Sequence, residues 1–235
     1  MGICVLYTGA HFADYSQSPG LTRDKLGHTA GTYLYPTYKN EIEAALVAFF
    51  GRPGVTRGKK AFDVHANTYR VDADVVPCFE YRRYFGNSDA PGVVYGTQLN
   101  PDNGGTIVNW PRQNYKNGVE KNDATRQGFK SVVRIVKRLR NDMADNNVAA
   151  ATPIPSYLIE CLIWNVPNEG LTNTTWKADV RAALIHLWNN TQNDEQCKDW
   201  LEINKNKYLF RDSQPWTRQA VNEFLLAAWM YVGFE

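Results

Sequence analysis

Histidine and cysteine are both scarce in this sequence, with four of each in 235 residues. His11, His28, His65 and His186 lie far apart, as do Cys4, Cys78, Cys161 and Cys197. Without ligand-pair spacing there is no zinc site to build, and the thiols are expected to be reduced. No apolar run reaches membrane-spanning length. The opening "MGICVLYTGAHF" lacks the basic start and long apolar stretch of a signal peptide, so a cytoplasmic protein with no membrane partner is expected. The sequons at Asn173 and Asn189 therefore carry no meaning. A net charge of +2 excludes attraction of the whole molecule to nucleic acid, and any basic function has to be local. Repeats and low-complexity tracts are also missing.

What is present is a compact composition, 43% hydrophobic and 21% charged, in a chain long enough for one large domain or two small ones. The pattern changes near Pro111, which favours two. The front half reads as mixed α/β: a short strand "ICVLY", a polar stretch punctuated by Pro19-Gly20 and Pro36, and a helix over Tyr38–Phe50 with Ile42, Ala45, Leu46 and Phe49 at helical spacing. "KAFDVHANTYRVDADVVPCFEY" then reads as a hairpin about "ANT". Beyond "GVVYGTQLNPDNGGTIVNWP", a hairpin or loop joining the halves, helical periods dominate. "TRQGFKSVVRIVKRLRNDM" carries Phe129, Val132, Val133, Val136, Leu139 and Met143 on one side. "PSYLIECLIWNV" is apolar nearly all round and reads as a central helix. "TWKADVRAALIHLW" and "PWTRQAVNEFLLAAWMYV" complete the set, the last introduced by Ser213 with Pro215 at its first position. The fold class expected is α+β (mixed), with a sheet lobe over 1–110 and a helical lobe over 111–235.

Three features could carry chemistry. On a two-residue period Asp72 and Asp74 share one strand face, which is either solvated or set against cations, donors or a metal. Lys130, Arg134 and Lys137 form a basic stripe that is either a solvated helix face or a polyphosphate contact. Ser156 at a helix start is a polar first-turn residue or a phosphate contact beside unpaired amides, and Tyr157 is core or a ring for stacking on a base.

The stretches "DADVVPCFEYRR", "NYKNGVEKNDATRQGFKSVVRIVKRLRN" and "IPSYLIECLIWNVPN" occur in an order that resembles the cGAS-like bacterial nucleotidyltransferases (CD-NTases), relatives of oligoadenylate synthetase. The resemblance runs from Ile3 almost to Glu235. It implies a polymerase-beta-like nucleotidyltransferase sheet followed by a helical domain, and synthesis of cyclic oligonucleotide second messengers from nucleoside triphosphates in bacterial defence against phage. It also assigns roles. Asp74 matches the third carboxylate of a two-magnesium site, with Asp72 merely flanking it. Lys137 matches the lysine that holds the donor triphosphate, Ser156 a phosphate-binding hydroxyl, and Tyr157 a base-stacking ring. ATP, GTP or other nucleoside triphosphates are the expected partners, with proteins of a defence operon possible and a nucleic-acid activator unsupported by any long basic run.

The family's Gly-Ser turn and Asp-x-Asp strand lie before Asp74, and here Met1 and Gly2 stand where that Asp-x-Asp ends. Asp14 and Asp24, in a loop-like stretch, do not replace it. The expectation is a truncated or mis-started form of an enzyme, inactive alone with its magnesium site incomplete. The alternative is a non-catalytic protein that binds nucleotide or a partner.

Overall fold

The computed structural model describes residues 2–234. It contains two compact units, one ending at Pro111 and the other beginning at Arg112. The first holds a six-stranded mixed sheet among the described residues: β1 (Gly2–Gln17), β2 (Val55–Arg57), β3 (Phe62–Val64), β4 (Ala73–Phe85), β5 (Gly92–Leu99) and β6 (Ile107–Asn109). β4 organises it. β1 runs parallel along β4 from Asp74 to Phe85, which leaves the other edge to β3 at the start and to β5 from Phe79 onward, both antiparallel. Pro77 has no N–H to give to a ladder, and it falls in the gap where β3 has ended and β5 has not begun. Ala73, Val75, Pro77, Phe79 and Tyr81 bury one face of β4, while Asp74 opens the other to solvent.

The helix α1 (Tyr35–Phe50) covers the buried face, its Tyr35 hydroxyl donating to Pro77 O at 3.0 Å and its Tyr38 hydroxyl to Val5 O at 3.0 Å. It begins three residues earlier than its apolar spacing predicts, because Pro36 sits in its first turn, where a missing N–H costs nothing. The side chains packed on the sheet are Ile42, Leu46, Val47 and Phe50. Phe49, expected on that side, is 82% exposed, since the stripe follows the 42, 46, 50 row. Lys39 is the buried exception, 1% exposed, with Nζ donating to Asp102 Oδ1 and to Lys59 O, both at 2.8 Å. A buried ammonium is tolerable only with such partners.

Two further expectations change in this unit. β1 extends far beyond "ICVLY", with a register shift between Tyr7 and His11 that breaks its alternation. Asp14 thus lies in a strand rather than a loop, its Oδ2 accepting from Tyr81 Oη at 2.8 Å and from Arg83 Nε at 3.1 Å. β3 and β4 do pair as a hairpin, but β4 starts at Ala73, so Asp72 falls in the connection. Its Oδ1 accepts from Ala66 N at 2.6 Å and shares no strand face with Asp74.

The second unit is helical: α2 (Pro111–Ala124), α3 (Gly128–Asp145), α4 (Ser156–Trp164), α5 (Trp176–Asn190), the short α6 (Asp194–Cys197) and α7 (Arg218–Tyr231). Its core joins Val132, Val136 and Met143 of α3 to Leu158 and Leu162 of α4, Leu184 of α5 and Phe224 of α7. Each such burial contributes about 1.5–3 kcal/mol against leaving the side chain wet. α3 starts where it does because α2 and the turn after it satisfy its first amides. Phe129 N donates to Thr125 Oγ1 at 2.9 Å, and Lys130 N to Asn122 Oδ1 at 3.1 Å. Gly128 is required there, since a Cβ would stand 1.9 Å from Leu171 O. α7 begins at Arg218 behind Thr217, whose hydroxyl accepts from Ala220 N at 3.2 Å, and not at Pro215. All four cysteines are free thiols.

Candidate functional site

In the sheet unit the candidate is Asp74. It lies one residue into β4, on the open face, directly opposite Asp63 of β3 in the antiparallel register. Facing cross-strand residues share a sheet face, so two exposed carboxylates stand side by side, an arrangement that repels itself unless a cation intervenes. Magnesium is held through one or two carboxylates with water or phosphate completing its shell, and these are the two carboxylates that the strand register places opposite each other. No third His, Cys, Asp or Glu joins them among the described residues.

In the helical unit the amphipathic pattern of α3 turns its basic stripe away from the core and toward a groove of about 340 Å³. Lys130, Arg134 and Lys137 line it, with Tyr115 and Gly118 of α2 opposite. Two rungs then tie α3 to α4. Lys137 Nζ donates to Glu160 Oε1, and one turn along, Arg140 Nη2 donates to Ser156 Oγ at 2.8 Å. Spacings of three residues on α3 and four on α4 put both rungs on the facing sides. Ser156 is exposed at the first position of α4 behind Pro155, which supplies no side-chain cap.

Tyr157 is half-buried, and its hydroxyl is bound into a polar network. It lies 3.1 Å from Asn114 Oδ1 and 3.0 Å from Glu202 Oε2, and it accepts from Asn204 Nδ2 at 3.2 Å. Burial pushes this phenol far above its ordinary pKa, with the neighbouring Cys161 and Glu202 adding to the effect. The hydroxyl therefore stays protonated at any physiological pH. Asn114 also lines the Lys137 groove, while the Tyr157 ring packs against the helical core with Trp216 beside it.

The structure thus brings Lys137, Ser156 and Tyr157 together around the α3–α4 contact. Arg140 is not among the residues that the sequence singles out, although it continues the stripe three residues past Lys137. Glu202, Asn204 and Asn114 carry no local signal, because each reaches Tyr157 from a distant part of the chain.

Residues 116–233 match the cGAS/DncV-like nucleotidyltransferase C-terminal helical domain. The chain is 47% identical over 231 residues to the cyclic dipyrimidine nucleotide synthase CdnE of Legionella pneumophila, covering 98% of this chain and 76% of that one. It is 37% identical to the protein of the same name from Cecembia lonarensis, over 99% of this chain and 77% of that one. Among solved structures, the Elizabethkingia meningoseptica CdnE cyclic dinucleotide synthase with GTP and Apcpp superimposes with a TM-score of 0.81 at 27% identity, covering 99% of this chain and 78% of that one. The Rhodothermus marinus CdnE c-UMP-AMP synthase with Apcpp and Upnpp gives a TM-score of 0.84 at 25% identity, covering 98% and 76%. A mixed sheet unit, a helical unit and these similarities define a nucleotidyltransferase of the cGAS type. The chain belongs to the cGAS/DncV-like nucleotidyltransferases, the CD-NTase family.

Proposed function

We propose that this protein is a synthase of cyclic dinucleotides, built from pyrimidine nucleoside triphosphates, that signals in the bacterial cytoplasm during defence against phage. The pyrimidine preference rests on the two CdnE relatives, both called cyclic dipyrimidine nucleotide synthases. In the reaction a ribose hydroxyl of one nucleotide displaces pyrophosphate from the α-phosphate of another, and a second displacement closes the ring. The observation that carries the reading is the pair of rungs between α3 and α4, which sets a lysine and a hydroxyl with its guanidinium one turn apart. Both groups can therefore give charge-assisted hydrogen bonds to a single triphosphate.

In this reading Lys137 leaves Glu160 to take the triphosphate, Ser156 donates its hydroxyl proton to a phosphate oxygen, and the Tyr157 ring stacks on a base. Asp74, with Asp63 beside it, is the part of the magnesium site that the described residues supply. When bound, the metal offsets phosphate charge and polarises the reacting oxygens. No line of basic residues supports a nucleic-acid activator, and proteins of a shared defence operon remain partners to be sought.

The test is a melting titration of the full chain with UTP and CTP, followed by incubation with α-labelled nucleotides and magnesium. A ligand at a hundredfold excess over Kd stabilises the folded state by about 2.7 kcal/mol, and Lys137→Ala should remove that shift. Phosphatase-resistant labelled product, absent with Asp74→Asn, supports the synthase. A nucleotide-dependent shift without product supports a nucleotide-binding protein instead. A melting temperature indifferent to nucleotide overturns both.

A further inference from the structure

We infer that Arg140 is a positioning residue for Ser156, fixing the direction of its hydroxyl toward a phosphate; the inference rests on the nucleotide-binding reading above. A serine hydroxyl has one proton to donate and two lone pairs with which to accept. Arg140 Nη2 donates to Ser156 Oγ at 2.8 Å and so occupies a lone pair, which leaves the single proton available for an acceptor in front of it. Ser156 is exposed at the first turn of α4, where the backbone amides are unpaired, and an incoming anion meets amides, hydroxyl proton and guanidinium together.

The guanidinium is itself held. Nη1 donates to Ile154 O at 2.6 Å, and Ile154 is fully buried, so Arg140 clamps the chain two residues before the helix while it orients the serine. The planar fork makes both contacts from one rigid group, which a lysine ammonium cannot do in the same geometry. Nε is buried and has no hydrogen-bond partner among the described residues. Phosphate is the ligand class that fits, since sharing an anion between hydroxyl and guanidinium gives charge-assisted bonds.

The experiment measures, by calorimetry on the full chain with magnesium, the affinities for UTP, UMP and inorganic tripolyphosphate. The proteins are the wild type, Arg140→Gln, Arg140→Lys, Ser156→Ala and the Gln/Ala double variant, and the melting temperature of each is read without ligand. Arg140→Gln should weaken UTP and tripolyphosphate binding about tenfold and leave UMP nearly unchanged, the size expected for a lost hydrogen bond to a charged group. Ser156→Ala should do the same. The double variant should be no weaker than the worse single one, because both substitutions interrupt a single contact. Arg140→Lys, which keeps the charge and the fold but not the fork, should fall between the wild type and Arg140→Gln.

Wild-type affinity for UTP in both Arg140 variants overturns the inference, as do losses that multiply in the double variant, since Arg140 then acts independently of Ser156. A lower melting temperature with unchanged affinity also overturns it in favour of a purely structural clamp. If Lys137→Ala loses binding while the Arg140 variants do not, the nucleotide site stands and only this inference fails. A wild-type chain that binds no triphosphate overturns both.

Discussion

The Tyr157 hydroxyl lies 3.0 Å from Oε2 of Glu202, a carboxylate only 4% exposed that also accepts from the amides of Asn204 and Gln214. These three donors are neutral, so a buried carboxyl group leans on hydrogen bonds of ordinary strength, and each of them matters. Tyr157→Phe is expected to destabilise the helical unit by about 1–3 kcal/mol, the cost of leaving a buried acceptor short of a donor. Because the ring remains, nucleotide binding should survive in Tyr157→Phe and fail in Tyr157→Ala. Urea unfolding and nucleotide titration of the two variants separate the anchoring role of the hydroxyl from that of the ring.

The facing carboxylates of Asp63 and Asp74 give a prediction about metal. Like charges directly opposite on neighbouring strands destabilise by up to about 1 kcal/mol. Asp63→Asn should therefore raise the melting temperature slightly in chelator. In millimolar magnesium the wild type should gain stability and the variant should gain less. A variant that melts lower in chelator, or that responds to magnesium as the wild type does, would show that the pair does not share an ion.

Asp14 gives a prediction about acid. Burial pushes its carboxyl up, but hydrogen bonds from Ser16, Tyr81 and Arg83 outweigh that and bring its pKa down from 3.8 to about 2. A depressed folded-state pKa means that the contribution is complete above the unfolded value and is lost as pH falls through the folded one. A drop of that size corresponds to about 2 kcal/mol. The wild type should exceed Asp14→Asn by that order above pH 5, and the gap should close between about pH 4 and pH 2 in denaturant titrations.

Gly128 opens α3 with no room for a side chain, because a Cβ on it would stand 1.9 Å from the carbonyl oxygen of Leu171. Backbone cannot rotate away as a side chain can. Gly128→Ala should cost about 1–3 kcal/mol as overpacking, despite the better helix propensity of alanine. A variant as stable as the wild type in urea would show that the Leu171 turn yields freely.

The sequence alone determined much of the helical half, although α2, with few apolar residues, was not legible from any period. α3 was legible from its period, since Phe129, Val132, Val133, Val136 and Met143 repeat on one side and all are buried. α4 was legible as a central helix from its unbroken apolar run, and the family followed from the spelling of the stretches around them. The sheet was harder, because strand pairing is non-local. The register shift in β1 hid Asp14 from a two-residue count, and only the pairing with β4 made its surroundings a strand. The same count put Asp72 beside Asp74, whereas the tertiary structure put Asp63 there, eleven residues earlier, through the β3–β4 register. Around Ser156 and Tyr157 the partners Arg140, Asn114, Glu202 and Asn204 come from separate segments, so no local pattern could name them. Local period fixes which side of an element is apolar; which polar groups meet across elements is decided by packing, where each buried donor and acceptor has to find a partner.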